Sequence, residues 1–240
     1  MRVLTYNVHG CLGTDGVLSP ERIAEVIAHY EPDIVGLQEL DVSRRRSGGI
    51  DQAFAIAEAL KMNAHFHPAM HVMEEQYGDA ILTALPSRLV KGAALPGLDW
   101  YRGLEPRGAL WAMIETPAGP LQVINTHFGL LPQERRAQAD ALLGATWLGG
   151  CMAPVVLMGD FNMLPGARPY RAFTRQLRDG HSLLRRAHAT FPARRPLVRI
   201  DHIFISTGID VHDMEIRHHA AARVASDHLP LALDIKITSF

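Results

Sequence analysis

Six short stretches of this chain place carboxylates, amides and imidazoles within or at the ends of apolar runs. They are Thr5-Tyr6-Asn7, Leu37-Gln38-Glu39, Asn125-Thr126-His127, Gly159-Asp160-Phe161-Asn162, Asp201-His202 and Ser226-Asp227-His228. An apolar strand that ends on a polar acceptor holds a reactive group on a rigid scaffold. Together these groups meet the demands of metal-assisted phosphoester cleavage. A hard cation such as Mg²⁺ takes oxygen ligands and needs only one or two carboxylates, and Glu39 with Asn7 fits that demand. A cation there would neutralise phosphoryl oxygens and the charge that develops during reaction. Asp160 and Asn162 stand two apart, so an extended backbone turns both the same way. One is a carboxylate to take a proton from water, the other an amide to hold a phosphoryl oxygen. Asp201 is a candidate partner for His228, fixing its ring and raising its basicity. Each residue alone also has an ordinary reading. Glu39 suits a solvated strand end, Asp160 and Asn162 suit a turn, and Asp227 and His228 suit a surface bend. The combination and its order argue for a site.

The elements that must position these groups mix strand and helix patterns. Residues 2–8 read as a buried strand. Ser19-Pro20-Glu21 supplies an N-cap, a first-turn proline and an acidic start. Ile23, Val26 and Ile27 follow at helical spacing, so 20–30 reads as an amphipathic helix. Residues 33–37 form the next strand, and Asp51 caps a helix to about Leu60. Stretches 77–84, 107–115 and 120–126 read as strands, the last two joined by a turn at Pro117-Ala118-Gly119-Pro120. Pro132 opens a helix predicted to reach Leu148 and to close at Gly149-Gly150. A strand at 155–158, a helical patch over 169–187 and strands at 199–206, 209–217 and 229–237 complete the pattern. Hairpins mix with helical crossovers, which points to an α/β layered protein with two facing sheets and helices outside. No linker divides the chain, so 1–240 reads as one domain.

Composition narrows the class. With 48% hydrophobic and 20% charged residues the chain can build an ordinary globular core. A formal net charge of -1 disfavours a uniformly basic nucleic-acid binder. Two cysteines, Cys11 and Cys151, are too few for a disulfide framework and suit a reducing compartment. Met1 runs directly into a strand pattern with no leader-like segment, and no apolar run approaches a membrane span. A cytoplasmic monomer without a transmembrane segment is expected.

The motifs TYNVHG, LQEL, EPRGAL, NTHFGL, GDFN, RIDHIF and SDHLP, in this order, resemble the endonuclease/exonuclease/phosphatase superfamily, which has the fold of pancreatic-type deoxyribonuclease. The resemblance spans nearly the whole chain, from Asn7 to His228. It implies a four-layer α/β/β/α sandwich of two mixed β-sheets with helices outside, and a site among loops at one edge. It implies that Glu39 is the principal ligand of Mg²⁺, with Mn²⁺ as a substitute, and that Asn7 stands beside it. Asp160 would orient or activate water, Asn162 hold the phosphate, and Asp227 complete the metal or water network. His228, paired with Asp201, would contact the scissile phosphate. His127 resembles the deoxyribonuclease, sphingomyelinase and inositol-phosphatase branches more than those that repair abasic DNA. Where the family often has Gly-Asn-Ala-Ile-Leu, this chain has Gly78-Asp79-Ala80-Ile81-Leu82. Asp79 either orients His127 or is a tolerated surface change. Arg107 is expected to clamp phosphate, its alternative being a pair with Glu105. Asn125 is expected to contact substrate, and Tyr77 either lines the pocket or packs in the core.

The superfamily acts on DNA, RNA, phospholipids, sphingomyelin, inositol phosphates and nucleotides, and fold does not choose among them. Near-zero net charge disfavours a general nuclease, because phosphate contacts need Lys or Arg. Arg44-Arg45-Arg46, Arg185-Arg186 and Arg194-Arg195 are local exceptions that also read as solvated turns. The stretch 97–102, with Trp100 and Tyr101, would stack on a base, meet a lipid interface or pack on the body. The favoured reading is a phosphodiesterase for a small or lipid-like phosphoester, with DNA or RNA as the alternative substrate. A non-catalytic binding module on the same fold is the reading from another class.

Overall fold

A computed structural model describes residues 1–98, 100–101, 103–152, 154–184, 189–216 and 220–238. Asp99, Arg102, Arg185, Arg186 and the ends of the predicted segments 169–187 and 209–217 lie outside the described residues.

Strand β1 (Arg2–Asn7) leads to α1 (Pro20–Ala28), β2 (Ile34–Val42) and α2 (Gln52–Leu60). Then come β3 (Asn63–Val72), β4 (Glu75–Thr83), β5 (Ser87–Ala94), β6 (Gly108–Thr116) and β7 (Gly119–His127). They are followed by α3 (Pro132–Leu143), β8 (Val155–Asp160), α4 (Arg168–Phe173), β9 (Arg178–Asp179) and α5 (Gly180–Leu183). The chain ends with β10 (Asp201–Ile205), β11 (Ile209–Glu215), α6 (Ala220–Ala225) and β12 (Leu231–Ile237). Two six-stranded sheets form, ordered β11-β12-β1-β2-β4-β3 and β5-β6-β7-β8-β10-β9. β1 pairs parallel with β2, and β7 with β8, while the other pairs are antiparallel, so both sheets are mixed.

Alternation along the strands assigns each face to a different core. Val3, Ile34, Ile81, Leu110, Val123, Val156 and Ile203 fill the space between the sheets. Leu4, Tyr6, Val35 and Leu37 face the other way and pack with Ile23 and Ile27 of α1, Ile56 of α2 and Ala222 of α6. On the second sheet, Ile124, Leu157 and Phe204 pack outward with Leu142 of α3 and Phe173 of α4. The result is the four-layer α/β/β/α sandwich. No described helix is long and apolar enough to cross a membrane.

Both predicted N-caps form, Ser19 Oγ accepting from Arg22 N at 3.1 Å and Asp51 Oδ1 from Phe54 N at 2.9 Å. Each such cap contributes about 1 kcal/mol. Three expectations need correction. Helix α3 stops at Leu143, because Gly144 takes an extended conformation and Trp147 turns in to be buried. The patch at 169–187 is broken after α4, where Asp179 pairs with Phe204 and accepts hydrogen bonds from Tyr170 and Arg199. Strands β3 and β5 and helix α6 had no counterpart in the sequence reading. Both strands are sheet edges, and β3 carries Pro68 at a register shift.

Candidate active site

The inner-face ladders bring the reactive groups together. Along β1 the inward residues are Val3, Thr5 and Asn7; along β7, Leu121, Val123, Asn125 and His127; along β8, Val156, Met158 and Asp160. β10 runs the opposite way, from Asp201 to Ile203 and Ile205. Apart from Thr5 and Asn125, which bond Gln38 inside the sandwich, each ladder is apolar along its length and polar at one end. The strand directions put all these polar ends at the same end.

Glu39 reaches this end differently from the sequence expectation. β2 continues past it to Val42, so Glu39 is not a strand terminus. The pairing with β4 shifts between Leu37 and Leu40, and Glu39 takes a φ of 63°. A bulge re-aims a side chain, and a left-handed non-glycine backbone costs about 1–3 kcal/mol that functional sites often retain.

Asp160 is the hub. Its Oδ2 accepts from Asn7 Nδ2 at 3.0 Å, and the same amide donates to Glu39 Oε1 at 2.9 Å. The Nε2 atoms of His127 and His228 each lie 3.6 Å from Asp160 Oδ2. Asn162 does not share an extended stretch with Asp160, as the spacing suggested. Its φ is 48°, and its backbone N–H donates to Asp160 Oδ1 at 2.8 Å. This turn carries the Asn162 amide over to Phe128 O, to which it donates at 2.9 Å, and to within 3.2 Å of His127 Nε2.

The expected pair forms between His228 and Asp201, with Nδ1 3.0 Å from Oδ2. Thr190, which sequence reasoning missed, donates its hydroxyl to the same Asp201 oxygen. Burial opposes charge on His228, but Asp201 and Asp160 outweigh it and push its pKa up to about 10. Burial also holds Asp160 above the usual carboxylate range. Asp160, Asp201 and His228 offer ligand atoms within 4.8 Å of one another, as a metal site would. The His228 proton already offsets charge there, so the trio reads better as a hydrogen-bonded acid–imidazole group.

The Asp79–His127 pair does not form. His127 Nδ1 instead accepts from Arg107 Nη1 at 3.0 Å, which puts the proton of a neutral ring on Nε2. Burial, with the Arg107 cation beside it, pulls His127 down to about 3. Asp79 is buried in β4 rather than at the surface, and burial lifts it to about 8. Arg107 also meets the Tyr77 hydroxyl at 3.4 Å and Glu105 Oε2 at 2.9 Å. It is 7% exposed, so its observed work is to hold His127 rather than to stand open for phosphate. Tyr77 is buried, and its hydroxyl accepts from Arg107 Nη1, which in turn holds His127.

Asn125 is also corrected. It is fully buried, and its amide donates to Leu37 O (2.8 Å) and Ala80 O (2.9 Å) while accepting from Gln38 Nε2 (2.7 Å). It ties one sheet to the other and has no face for substrate. Gly36 permits this clasp, since a Cβ there would stand 2.8 Å from Asn125 Oδ1.

The mouth of the site holds Glu39, Asp227 and His9, the last not singled out from sequence. His9 Nδ1 lies 3.6 Å from Glu39 Oε2 and 3.7 Å from Asp227 Oδ1. The hydrogen bond to Glu39 raises the His9 pKa. Burial lifts Glu39, but His9, His127 and Asn7 reverse that and hold it well below the usual carboxylate range. Two carboxylates converging at a half-exposed mouth suit a hard cation. Asn7 presents its NH₂ to the carboxylates and its oxygen to His9 N, so Glu39 and Asp227 are the oxygen donors offered there.

A model described as the Endonuclease/Exonuclease/phosphatase family matches residues 4–228. Exodeoxyribonuclease III of Haemophilus influenzae is 25% identical over 175 residues, covering 69% of this chain and 58% of that enzyme. A crystal structure of an endonuclease/exonuclease/phosphatase from Beutenbergia cavernae superposes with a TM-score of 0.76 at 23% identity, covering 99% of this chain and 72% of that one. A mannosyl-6-phosphatase from Bacteroides thetaiotaomicron gives a TM-score of 0.74 at 20% identity, covering 98% and 99%. At these identities the structural likeness establishes the fold alone.

Proposed function

The chain belongs to the endonuclease/exonuclease/phosphatase family, and on that premise we propose that it is a divalent-metal-dependent phosphodiesterase for a small or lipid-like phosphoester. The observation that carries this reading is the convergence of Asn7, His127 and His228 on Asp160, with Glu39 hydrogen-bonded to the same Asn7 amide. Glu39 and Asp227 would hold Mg²⁺, or Mn²⁺ in its place. When bound, the cation supplies charge neutralisation at the phosphoryl oxygens.

Asp160, buried and held above its ordinary pKa, is suited to take the proton of the attacking water. His228 is charged at neutral pH, which suits it to stabilise phosphoryl charge or protonate the leaving oxygen and not to act as base. His127 stays neutral and offers Nε2–H, and Asn162 offers an amide beside it. Water adds to phosphorus, the bond to the leaving oxygen breaks, and a monoester and an alcohol result.

A nuclease is the second reading, favoured by the likeness to exodeoxyribonuclease III. Bis-p-nitrophenyl phosphate should be hydrolysed with Mg²⁺ or Mn²⁺ and not after chelation. Glu39→Ala should chiefly raise the metal concentration needed. No hydrolysis at any metal concentration would sink the reading, and an unaltered metal titration would remove Glu39 as ligand. Plasmid nicking set against phospholipid cleavage separates the two substrates.

A further inference from the structure

We infer that the catalytic end of the sandwich docks on the surface of a phospholipid bilayer, which deepens the lipid-like reading and rests on it for the reaction but not for binding. The connections at this end carry large apolar side chains held out in solvent. Met73 is 89% exposed, Trp100 71%, Leu130 65%, Leu164 51% and Leu197 79%. Each comes from a different connection and lies close in sequence to a site residue. Met73 precedes Tyr77, Trp100 precedes Arg107, Leu130 follows His127, Leu164 follows Asn162 and Leu197 precedes Asp201. At the opposite end, Met152 is the one large apolar side chain exposed in a described connection. Scattered exposed apolar residues such as Phe54, Leu89 and Met152 need no explanation, but five gathered on the connections around one site do.

What covers that rim must bring a phosphoester to the centre and apolar matter to its edge. A phospholipid layer does both. A nucleic acid would call for an excess of cations. Among the described residues, the exposed Arg45, Arg46, Arg194 and Arg195 at this end are matched in number by the exposed Asp15, Asp51, Glu74 and Glu105, of which Asp51 shares a connection with Arg45 and Arg46 and the other three lie on other connections of the same end. Trp100 beside Tyr101 supplies the amphipathic rings that favour a bilayer's headgroup level. The cavities beside the centre set apolar side chains against charged ones. One of about 200 Å³ sets Leu12 and Leu18 against His9 and Glu39, and one of about 230 Å³ sets Leu98, Tyr101 and Leu104 against Arg107.

Tryptophan emission reports this surface directly. Trp111 and Trp147 are buried, so Trp100 is the tryptophan able to respond. The probe is phosphatidylcholine vesicles with a minor share of phosphatidylglycerol, mixed with the full chain. Emission should shift to shorter wavelength and be quenched by brominated phosphatidylcholine. The variant Trp100→Ser/Met73→Ser/Leu197→Ser should co-sediment at least about tenfold less, with an unchanged circular-dichroism melt and unchanged bis-p-nitrophenyl phosphate turnover in vesicle-free buffer. Absence of vesicle binding, equal binding by the variant, or an emission response to duplex DNA but not to vesicles overturns the inference. Vesicle binding without diester hydrolysis would leave the surface standing and sink the phosphodiesterase reading instead.

Discussion

His127 and His228 stand at the same distance from one carboxylate oxygen, both almost wholly buried, and the protein gives them opposite charge. The difference lies on the far side of each ring. His127 turns Nδ1 to the Arg107 guanidinium and falls to about 3. His228 turns Nδ1 to the Asp201 carboxylate and rises to about 10. Burial opposes the proton on both, so the neighbour's sign decides. A carboxylate between one neutral and one charged imidazole has a donor on either side and only one full positive charge, a useful arrangement for a phosphoryl group that gains negative charge as it reacts.

The largest break is to remove what the two rings share. Asp160→Asn should lower kcat for bis-p-nitrophenyl phosphate by on the order of 10²–10⁴-fold, with a folded circular-dichroism spectrum. Wild-type kcat in that variant would end the role given to Asp160.

Removing either ring should separate the pair in stability as well as in rate. His228 binds its proton more tightly when folded, so it stabilises the protein fully below about 6.5, and that share is lost as pH rises towards about 10. His127 binds its proton less tightly when folded, so stability falls as pH drops from about 6.5 towards about 3. Urea unfolding across pH should show His228→Gln flattening the alkaline side and His127→Gln the acid side. Turnover should drop roughly 10²–10³-fold in each. Identical pH dependence in the two variants would contradict the assignment.

A milder change acts through Arg107. Arg107→Met takes the cation from His127, so the ring should protonate more readily and the acid limb of the pH–rate profile should move to higher pH. The loss in kcat should be on the order of tenfold, as for a lost orienting partner. An unmoved acid limb would make Arg107 merely a partner of Glu105. The smallest effect on turnover belongs to Asn125→Ala. It should cost about 1–3 kcal/mol in urea unfolding, because buried partners are left unpaired, while kcat and KM stay near wild type. A large rise in KM would restore Asn125 as a substrate contact.

Much of this was legible in the sequence, for a physical reason. Polar side chains at the ends of apolar ladders at Asn7, His127, Asp160 and Asp201 are costly unless used, and the ladders themselves imposed two facing sheets. Depth was not legible. Asn125 and His127 share a face of β7, yet one rung separates a structural clasp from the site. Direction changes were hidden too. Glu39 depends on a bulge whose partner lies on β4, His9 on a left-handed turn after Asn7, and Asn162 on a turn closed by Asp160. Strand β3 does alternate, but it puts histidines on one face and Pro68 in its middle, so its pattern reads weakly. The Asp79 hypothesis named the right ring and the wrong neighbour, because Arg107 arrives from another strand.

The charge on the two imidazoles can be read directly by ¹⁵N–¹H correlation NMR of the histidine rings. With Arg107 behind one ring and Asp201 behind the other, His127 should stay neutral, with its proton on Nε2, through neutral and mildly acidic pH. His228 should stay doubly protonated until pH approaches about 10. Titration of both rings together near their ordinary value of 6.5 would contradict the opposed pair on which the site depends.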